Sequence, residues 1–180
     1  LIHHTYKVNF SNDNAIVLQS INQSTFPHPD RIIRNYRLMQ DWLRTQGNGQ
    51  IADLVKTKNG EDSWTDESGN FWRATRFIQN SYASSIPGSA EEVFLTARSF
   101  AGFTRSLAGL RVTELSVTIP DFHNLEKRYE QFEAAVKRAT ISRLLKSTHV
   151  ISEARERFRL VDFYKEVAAN ETDYPTRIMH

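Results

Sequence analysis

Polar and apolar residues alternate in the first segments of the chain, which is the pattern of half-buried β-strands. The alternation runs through residues 5–10 (TYKVNF) and a second strand-like segment covers residues 15–21 (AIVLQSI). Asn12, Asp13 and Asn14 lie between the two segments and favour a turn. We therefore predict that these residues form an antiparallel hairpin.

A helical period replaces the alternation after His28-Pro29-Asp30. Apolar residues then recur at positions 32, 33, 36, 39 and 43, and Gly47 and Gly49 are placed to end the helix. Residues 51–55 are a third strand candidate, and turns are predicted at residues 59–60 and 68–70. The strongest strand pattern is FWRATRFI at residues 71–78, with the segment before Ser68 as its predicted partner.

The pattern after residue 80 is helical. A polar connector at residues 81–88 precedes a helix that Ser89 is suited to cap. A second helix is predicted to open at Pro120-Asp121, with Asp121 as its cap, and a third to cover Val150 to Ala168 with Val161, Tyr164 and Val167 in the core. This order predicts an α+β fold with a strand-rich lobe at 1–80, a hinge at 81–88 and a helical part at 89–180.

Composition narrows the classes of protein. Among 180 residues, 39% are hydrophobic and 24% charged, as in a globular chain, and there is no cysteine for disulfides, thiolate catalysis or cysteine-based metal sites. The sequence has no apolar run of the roughly 20 residues that span a bilayer and no signal-peptide pattern, so we expect a cytoplasmic protein without a membrane partner. A net charge of +2 is too small to indicate a nucleic-acid partner.

The six histidines do not form a metal-binding pattern. His3 and His4 are adjacent, so on a strand their side chains point to opposite faces. No His-x-x-x-His spacing occurs in the chain. The sequence therefore predicts no metal-ligating residue.

Several strings, in collinear order, resemble one family. Residues 1–8 (LIHHTYKV), 17–22 (VLQSIN) and the Phe26-x-x-Pro29 spacing are similar to the start of the sugar-kinase branch of the aminoglycoside-phosphotransferase superfamily, which includes the N-acetylhexosamine 1-kinases. Residues 71–78 resemble the strand that leads into the interlobe hinge of that family. The next landmarks resemble residues 97–103 (ARSFAGF) and 119–123 (IPDFH), and RIMH at residues 177–180 looks like the approach to the catalytic loop.

The resemblance implies a protein-kinase-like two-lobed fold and ATP-dependent phosphoryl transfer, with Mg²⁺, to a hydroxyl of a small molecule such as an N-acetylhexosamine. His180 would orient a His-x-Asp loop whose catalytic Asp lies beyond the chain end. The chain does not begin with Met and stops at His180 without a tail-like composition. We therefore expect a fragment truncated at both ends and inactive by itself.

The same resemblance suggests nucleotide-binding residues. Gln19 stands where many kinases carry a phosphate-binding Lys, and Ser20 follows it where the branch often has Arg. Lys7 on the preceding strand is a further candidate for the missing charge. Phe77, Ile78 and Gln79 would form the extended segment that contacts the adenine, because a strand that ends in a polar connector offers both apolar surface and backbone hydrogen-bonding groups.

Three alternatives stay open at this point. An uncharged Gln19 favours a non-catalytic, kinase-like interaction module. A choline-type or homoserine-type small-molecule kinase would share the same nucleotide-binding half. A nucleic-acid-binding α+β domain is supported only by the slight excess of basic residues.

Overall fold

A computed structural model of the chain describes residues 2–11, 14–47, 51–83 and 85–178. The chain divides into two compact units. One comprises the described residues of Leu1–Ile119 and Arg177–His180, and the other comprises Pro120–Thr176. The lobe boundary predicted at residues 81–88 lies within the first unit and stays a prediction.

A four-stranded antiparallel sheet organises the first unit, and with the helices it confirms the α+β class. The strands are β1 (His4–Asn9), β2 (Ala15–Ile21), β3 (Trp64–Thr65) and β4 (Phe71–Arg76), in the order β1-β2-β4-β3. The β1–β2 hairpin and the pairing of β3 with β4 were both predicted. The longer pairing of β4 with β2 was not, and it places Arg73 opposite Gln19.

The first helix, α1 (Pro29–Gln46), follows the predicted apolar period and ends at Gly47. Gly47 has a φ of +64°, the left-handed conformation that glycine adopts without steric cost. Gly49 lies outside the described residues. On the face of α1 that packs inward, Leu43 forms a buried cluster with Leu107 and Leu110, each less than a tenth exposed.

The strand predicted at residues 51–55 is reduced to one bridge between Leu54 and Thr75. Its backbone still bonds to β4, because Val55 N donates to Ala74 O over 2.9 Å and Arg76 N donates to Asp53 O over 2.8 Å. The segment is also held by α1 side chains: Gln40 and Arg44 each donate to Asp53 Oδ1 over 2.8 Å. The segment is therefore joined to β4 by two backbone hydrogen bonds and one bridge, without a continuous ladder.

The second helix of the first unit, α2 (Ala90–Ser106), begins as predicted. The Ser89 hydroxyl accepts a hydrogen bond from Glu92 N over 3.1 Å, as an N-cap should. The helix is tied to α1 at its end, where Trp42 Nε1 donates to Ser106 O over 2.8 Å.

Helix α1 also anchors the segment that follows α2, around a 3₁₀ turn at Val112–Glu114. The Asn35 amide makes two hydrogen bonds to the backbone of Ser116: Nδ2 donates to the carbonyl over 2.7 Å, and Oδ1 accepts from the amide over 2.8 Å. Because both backbone groups of Ser116 are satisfied by one side chain, this contact fixes the segment against the helix.

The second unit contains α3 (Leu125–Arg138), α4 (Ile141–Glu156) and α5 (Arg159–Ala169). The prediction that Asp121 caps a helix is wrong, because Asp121 has a φ of +55° and lies in a turn before the helix. Asn124 is the cap, and its Oδ1 accepts from Lys127 N over 3.1 Å.

The single helix predicted from Val150 to Ala168 is also wrong. The helix is interrupted at Arg157-Phe158, which separate α4 from α5. The Phe158 ring packs edge-on against Tyr129 of α3, with 4.8 Å between the ring centroids. Val161 is buried, as predicted, whereas Tyr164 and Val167 are only half-buried.

Among the described residues, no helix is both long enough and apolar enough to cross a bilayer.

Candidate functional site

One face of the sheet collects polar side chains from three neighbouring strands. Successive side chains of a strand alternate between the two faces, so Thr5 and Lys7 of β1, Gln19 of β2 and Arg73 of β4 belong to the same face. Tyr36 of α1 lies on this side, since its ring is under the Arg73 guanidinium, 5.2 Å from centroid to Cζ. We call this the helix face.

Gln19 connects the three strands through its side-chain amide. Its Nε2 donates to Thr5 Oγ1 over 3.1 Å. Its Oε1 accepts from Arg73 twice, from Nε over 3.0 Å and from Nη2 over 2.8 Å. The residue predicted to contact phosphate is therefore half-buried and already bonded at both ends of its amide.

Arg73 brings a positive charge to this face without a carboxylate beside it. The described contacts of its guanidinium are the Gln19 amide and the Tyr36 ring, and both groups are uncharged. Removal from water lowers the pKa of Arg73, but a guanidinium retains its charge in proteins. Since two of its five N–H groups bond to Gln19, the others remain for an anionic ligand, as far as the described contacts extend.

Arg73 was not predicted as a site residue from the sequence, although a signal was present. Arg73 interrupts an otherwise apolar run between Trp72 and Ala74. A charged residue at that position in a central strand must have a polar partner or a ligand. Its partner could not be identified without the β2–β4 register, which depends on the residues between the two strands.

His3 lies beside the same cluster, just before β1. Its Nδ1 accepts a hydrogen bond from Asn22 N over 3.1 Å, and its ring contacts Phe26 with centroids 5.1 Å apart. Burial lowers the pKa of His3, and the positive charge of Arg73 lowers it further. His3 Nδ1 is therefore a hydrogen-bond acceptor, and the pKa of the imidazole depends in part on the charge of Arg73.

The segment predicted to contact the adenine, residues 77–79, starts where β4 ends. Phe77 N donates to Ala15 O over 3.1 Å, and Lys7 Nζ lies 3.8 Å from the centroid of the Phe77 ring. Phe77 and Ile78 are beyond the strand, which stops at Arg76, so the predicted length of that strand is wrong. Ile78 is 62% exposed and is not a core residue.

Gln79 lines a cleft of about 900 Å³ at this end of the sheet, together with Phe10, Ala15, Arg76 and Phe77. This volume lies within the range of small-molecule sites. The cleft therefore contains two of the three residues predicted for adenine binding, Phe77 and Gln79.

A second cavity, of about 540 Å³, lies against the opposite face of the sheet, where Leu18 and Trp72 project beside Trp64. Its lining carries one ion pair, in which Lys56 Nζ is 3.3 Å from Asp62 Oδ1, and it also includes Lys58, Glu61 and Arg73. Most of the remaining lining surface is apolar.

His180, the predicted orienting residue of the catalytic loop, lies outside the described residues. In the part of the chain that the structure describes, no three His, Cys, Asp or Glu side chains cluster closely enough to hold a metal ion.

No protein-family model matches the chain.

Proposed function

We propose that the protein is a cytoplasmic, ATP-dependent phosphotransferase of the kinase-like two-lobed fold, whose sheet belongs to the nucleotide-binding lobe. Its acceptor would be a hydroxyl of a small molecule, a sugar such as an N-acetylhexosamine, as the sequence resemblance suggests. The observation that carries the proposal is the positive charge of Arg73 beside Gln19, with no carboxylate among its described contacts.

Phosphoryl transfer requires a cation at the nucleotide phosphates, which is usually a strand lysine paired with a helix glutamate. Gln19 cannot supply that charge. Arg73 lies on the adjacent strand, directly opposite Gln19, and can do so. A guanidinium also offers paired N–H groups that match two phosphate oxygens, which supports a role in phosphate binding.

The arrangement along the sheet suits an extended nucleotide. Lys7 is two residues along β1 from Thr5, which corresponds to about 7 Å. Its Nζ lies 3.8 Å from the centroid of the Phe77 ring, and Phe77 also lines the cleft with Gln79. We propose that the phosphates contact Arg73 and that the adenine reaches this cleft.

Mg²⁺ would bridge the phosphates and reduce their charge. The described residues contain no group of three acidic or histidine side chains for it, so the proposal assigns none of them as a metal ligand. The general base is expected in the His-x-Asp loop that the resemblance begins at His180.

Calorimetric titration of the full-length protein with ATP, with and without Mg²⁺, tests the proposal. We expect binding, and we expect Arg73→Gln to weaken it about tenfold or more, the effect of losing a charged hydrogen bond. Arg73→Lys keeps the charge but loses the paired donors, so its affinity for ATP should lie between that of the unmodified protein and that of Arg73→Gln.

The matched control is Lys58→Gln, which makes the same change of charge at an exposed position away from the helix face. Equal affinities for Arg73→Gln, Lys58→Gln and the unmodified protein would overturn the proposed role of Arg73. Absence of any nucleotide binding by the unmodified protein would overturn the proposed function.

A non-catalytic, kinase-like interaction module is the second candidate. The hydrogen bonds that occupy both ends of the Gln19 amide favour it, because they account for Gln19 and Arg73 as a purely structural link between strands. This candidate predicts that Arg73→Gln lowers the free energy of unfolding while ATP binds neither protein.

A further inference from the structure

We propose that Tyr36 is a positioning residue, which holds the Arg73 guanidinium in place for the nucleotide phosphate without neutralising it. The inference rests on the proposed function, and it concerns a residue of α1 that the sequence did not single out as functional.

Tyr36 is itself held in place at two points. It lies on α1, one turn or more from either end of the helix. Its hydroxyl donates to Ala52 O over 2.5 Å, which fixes the far edge of the ring. The half-buried ring therefore has little freedom to turn away from the sheet.

The fixed ring contacts the cation through its face. Arg73 Cζ is 5.2 Å from the ring centroid, within the roughly 6 Å over which an aromatic face attracts a guanidinium. Gln19 holds the guanidinium from the neighbouring strand, through Nε and Nη2. The two contacts together hold the group from the helix side and from the strand side.

Anion binding by Arg73 depends on whether the side chain that contacts it from α1 is charged. A helix carboxylate at this place would form an ion pair with Arg73 and would compete with phosphate for the same N–H groups. An aromatic ring attracts the cation through its π-electrons and has no net charge. Tyr36 therefore restrains Arg73 and leaves both its charge and its remaining donors for an anion.

His3 provides a readout of this arrangement that needs no nucleotide. The positive charge of Arg73 contributes to the low pKa of the His3 imidazole, after burial. If Tyr36 holds Arg73 in place, loosening the ring contact should move the charge and raise the pKa of His3. Arg73→Gln removes the charge altogether and therefore shows the largest rise in the pKa of His3 that this charge can account for.

The test compares Tyr36→Leu with Tyr36→Phe in the full-length protein. Tyr36→Leu removes the π-face, so we expect the pKa of His3 to rise in an NMR titration and the Mg·ATP affinity to fall about five- to tenfold. Tyr36→Phe keeps the ring and loses only the bond to Ala52, so the pKa of His3 should change less than in Tyr36→Leu and the Mg·ATP affinity should stay within about twofold of its original value.

An unchanged His3 titration in Tyr36→Leu, with a shift in Arg73→Gln, would overturn the inference. Equal effects of the two Tyr36 variants on ATP affinity would also overturn it. If Tyr36 had only a structural role, the variants could differ in melting temperature, but the presence of an aromatic ring at position 36 would not affect ATP affinity. If Arg73→Gln does not weaken ATP binding, the proposed role of Arg73 fails, while His3 still reports whether Tyr36 holds it.

Discussion

At the residue scale, Gly109 is the position where one added atom has the clearest consequence. A Cβ there would lie 2.6 Å from Cζ2 and 2.8 Å from Cη2 of Trp42. The indole is fixed by its hydrogen bond to Ser106 O and packs on the buried Leu43 cluster. The clash therefore cannot be relieved by rotating an exposed side chain.

We predict that Gly109→Ala lowers the free energy of unfolding by about 1–3 kcal/mol, as overpacked core positions do. Urea unfolding followed by Trp fluorescence measures the change. Gly102→Ala is the matched control, because Gly102 lies within α2 and an added Cβ meets no heavy atom within 4 Å. It should raise stability by up to about 1 kcal/mol, and a loss in both variants would contradict the account.

At the scale of elements, the loop before β3 is tied to α1 by a half-buried carboxylate. Asp62 forms an ion pair with Arg37 of α1, and Arg37 Nε donates to Asp62 Oδ2 over 3.1 Å. Lys56 Nζ lies 3.3 Å from Oδ1. Burial acts to raise the pKa of Asp62, but the hydrogen bonds from Arg37 and Lys56 outweigh it and lower the pKa below the ordinary value of 3.8.

This shift makes the stabilisation depend on pH. A depressed carboxylate pKa stabilises the fold above the unfolded pKa, near 3.8, and the contribution disappears as the pH falls through the folded pKa. We predict that Asp62→Asn costs roughly 1 kcal/mol at pH 7 and that the difference shrinks towards pH 3. Urea unfolding at both pH values checks this, and an equal cost at the two would rule out the ion pair as its source.

The elements that the sequence predicted are those with local signals. Alternation gives the β1–β2 hairpin, the apolar period with Gly47 gives α1, and the Ser89 cap gives the start of α2. Failures occurred where tertiary contacts decide the local structure. The helix is interrupted at Arg157, next to Phe158, whose ring packs on Tyr129. Residues 51–55, which α1 side chains bond through Asp53, form one bridge where a strand was expected.

The candidate site follows the same rule. The sequence and its resemblance pointed to Gln19, Phe77 and Gln79, which are single positions in local strings. Arg73 and Tyr36 were missed because their significance lies in long-range pairing: Arg73 is 54 residues from Gln19 along the chain. The cation of the helix face could therefore be recognised only with the sheet register and the position of α1 in hand.

At the scale of the whole molecule, the central question is whether the Arg73 charge on the helix face binds a ligand. Gln19→Glu addresses this directly, because the new carboxylate has the shape of the amide and accepts the same bonds from Arg73. It would neutralise the guanidinium. The bond that Gln19 Nε2 donates to Thr5 Oγ1 is replaced by one that the Thr5 hydroxyl donates to the new carboxylate, so the fold should be at least as stable, since a charged acceptor strengthens its bonds.

The matched control makes the same change in the second unit. Gln131 Oε1 accepts from Arg128 Nη1 over 2.8 Å on the exposed surface of α3, so Gln131→Glu also converts an amide–guanidinium bond into an ion pair. Both variants carry the same net charge, and melting curves show whether each is folded.

The decisive measurement is a calorimetric titration of the full-length protein and these two variants with Mg·ATP. We predict that Gln131→Glu binds like the unmodified protein and that Gln19→Glu, with an unchanged or higher melting temperature, binds about tenfold more weakly or worse. Equal affinity in Gln19→Glu and the unmodified protein would contradict the claim that the Arg73 charge binds the nucleotide phosphate.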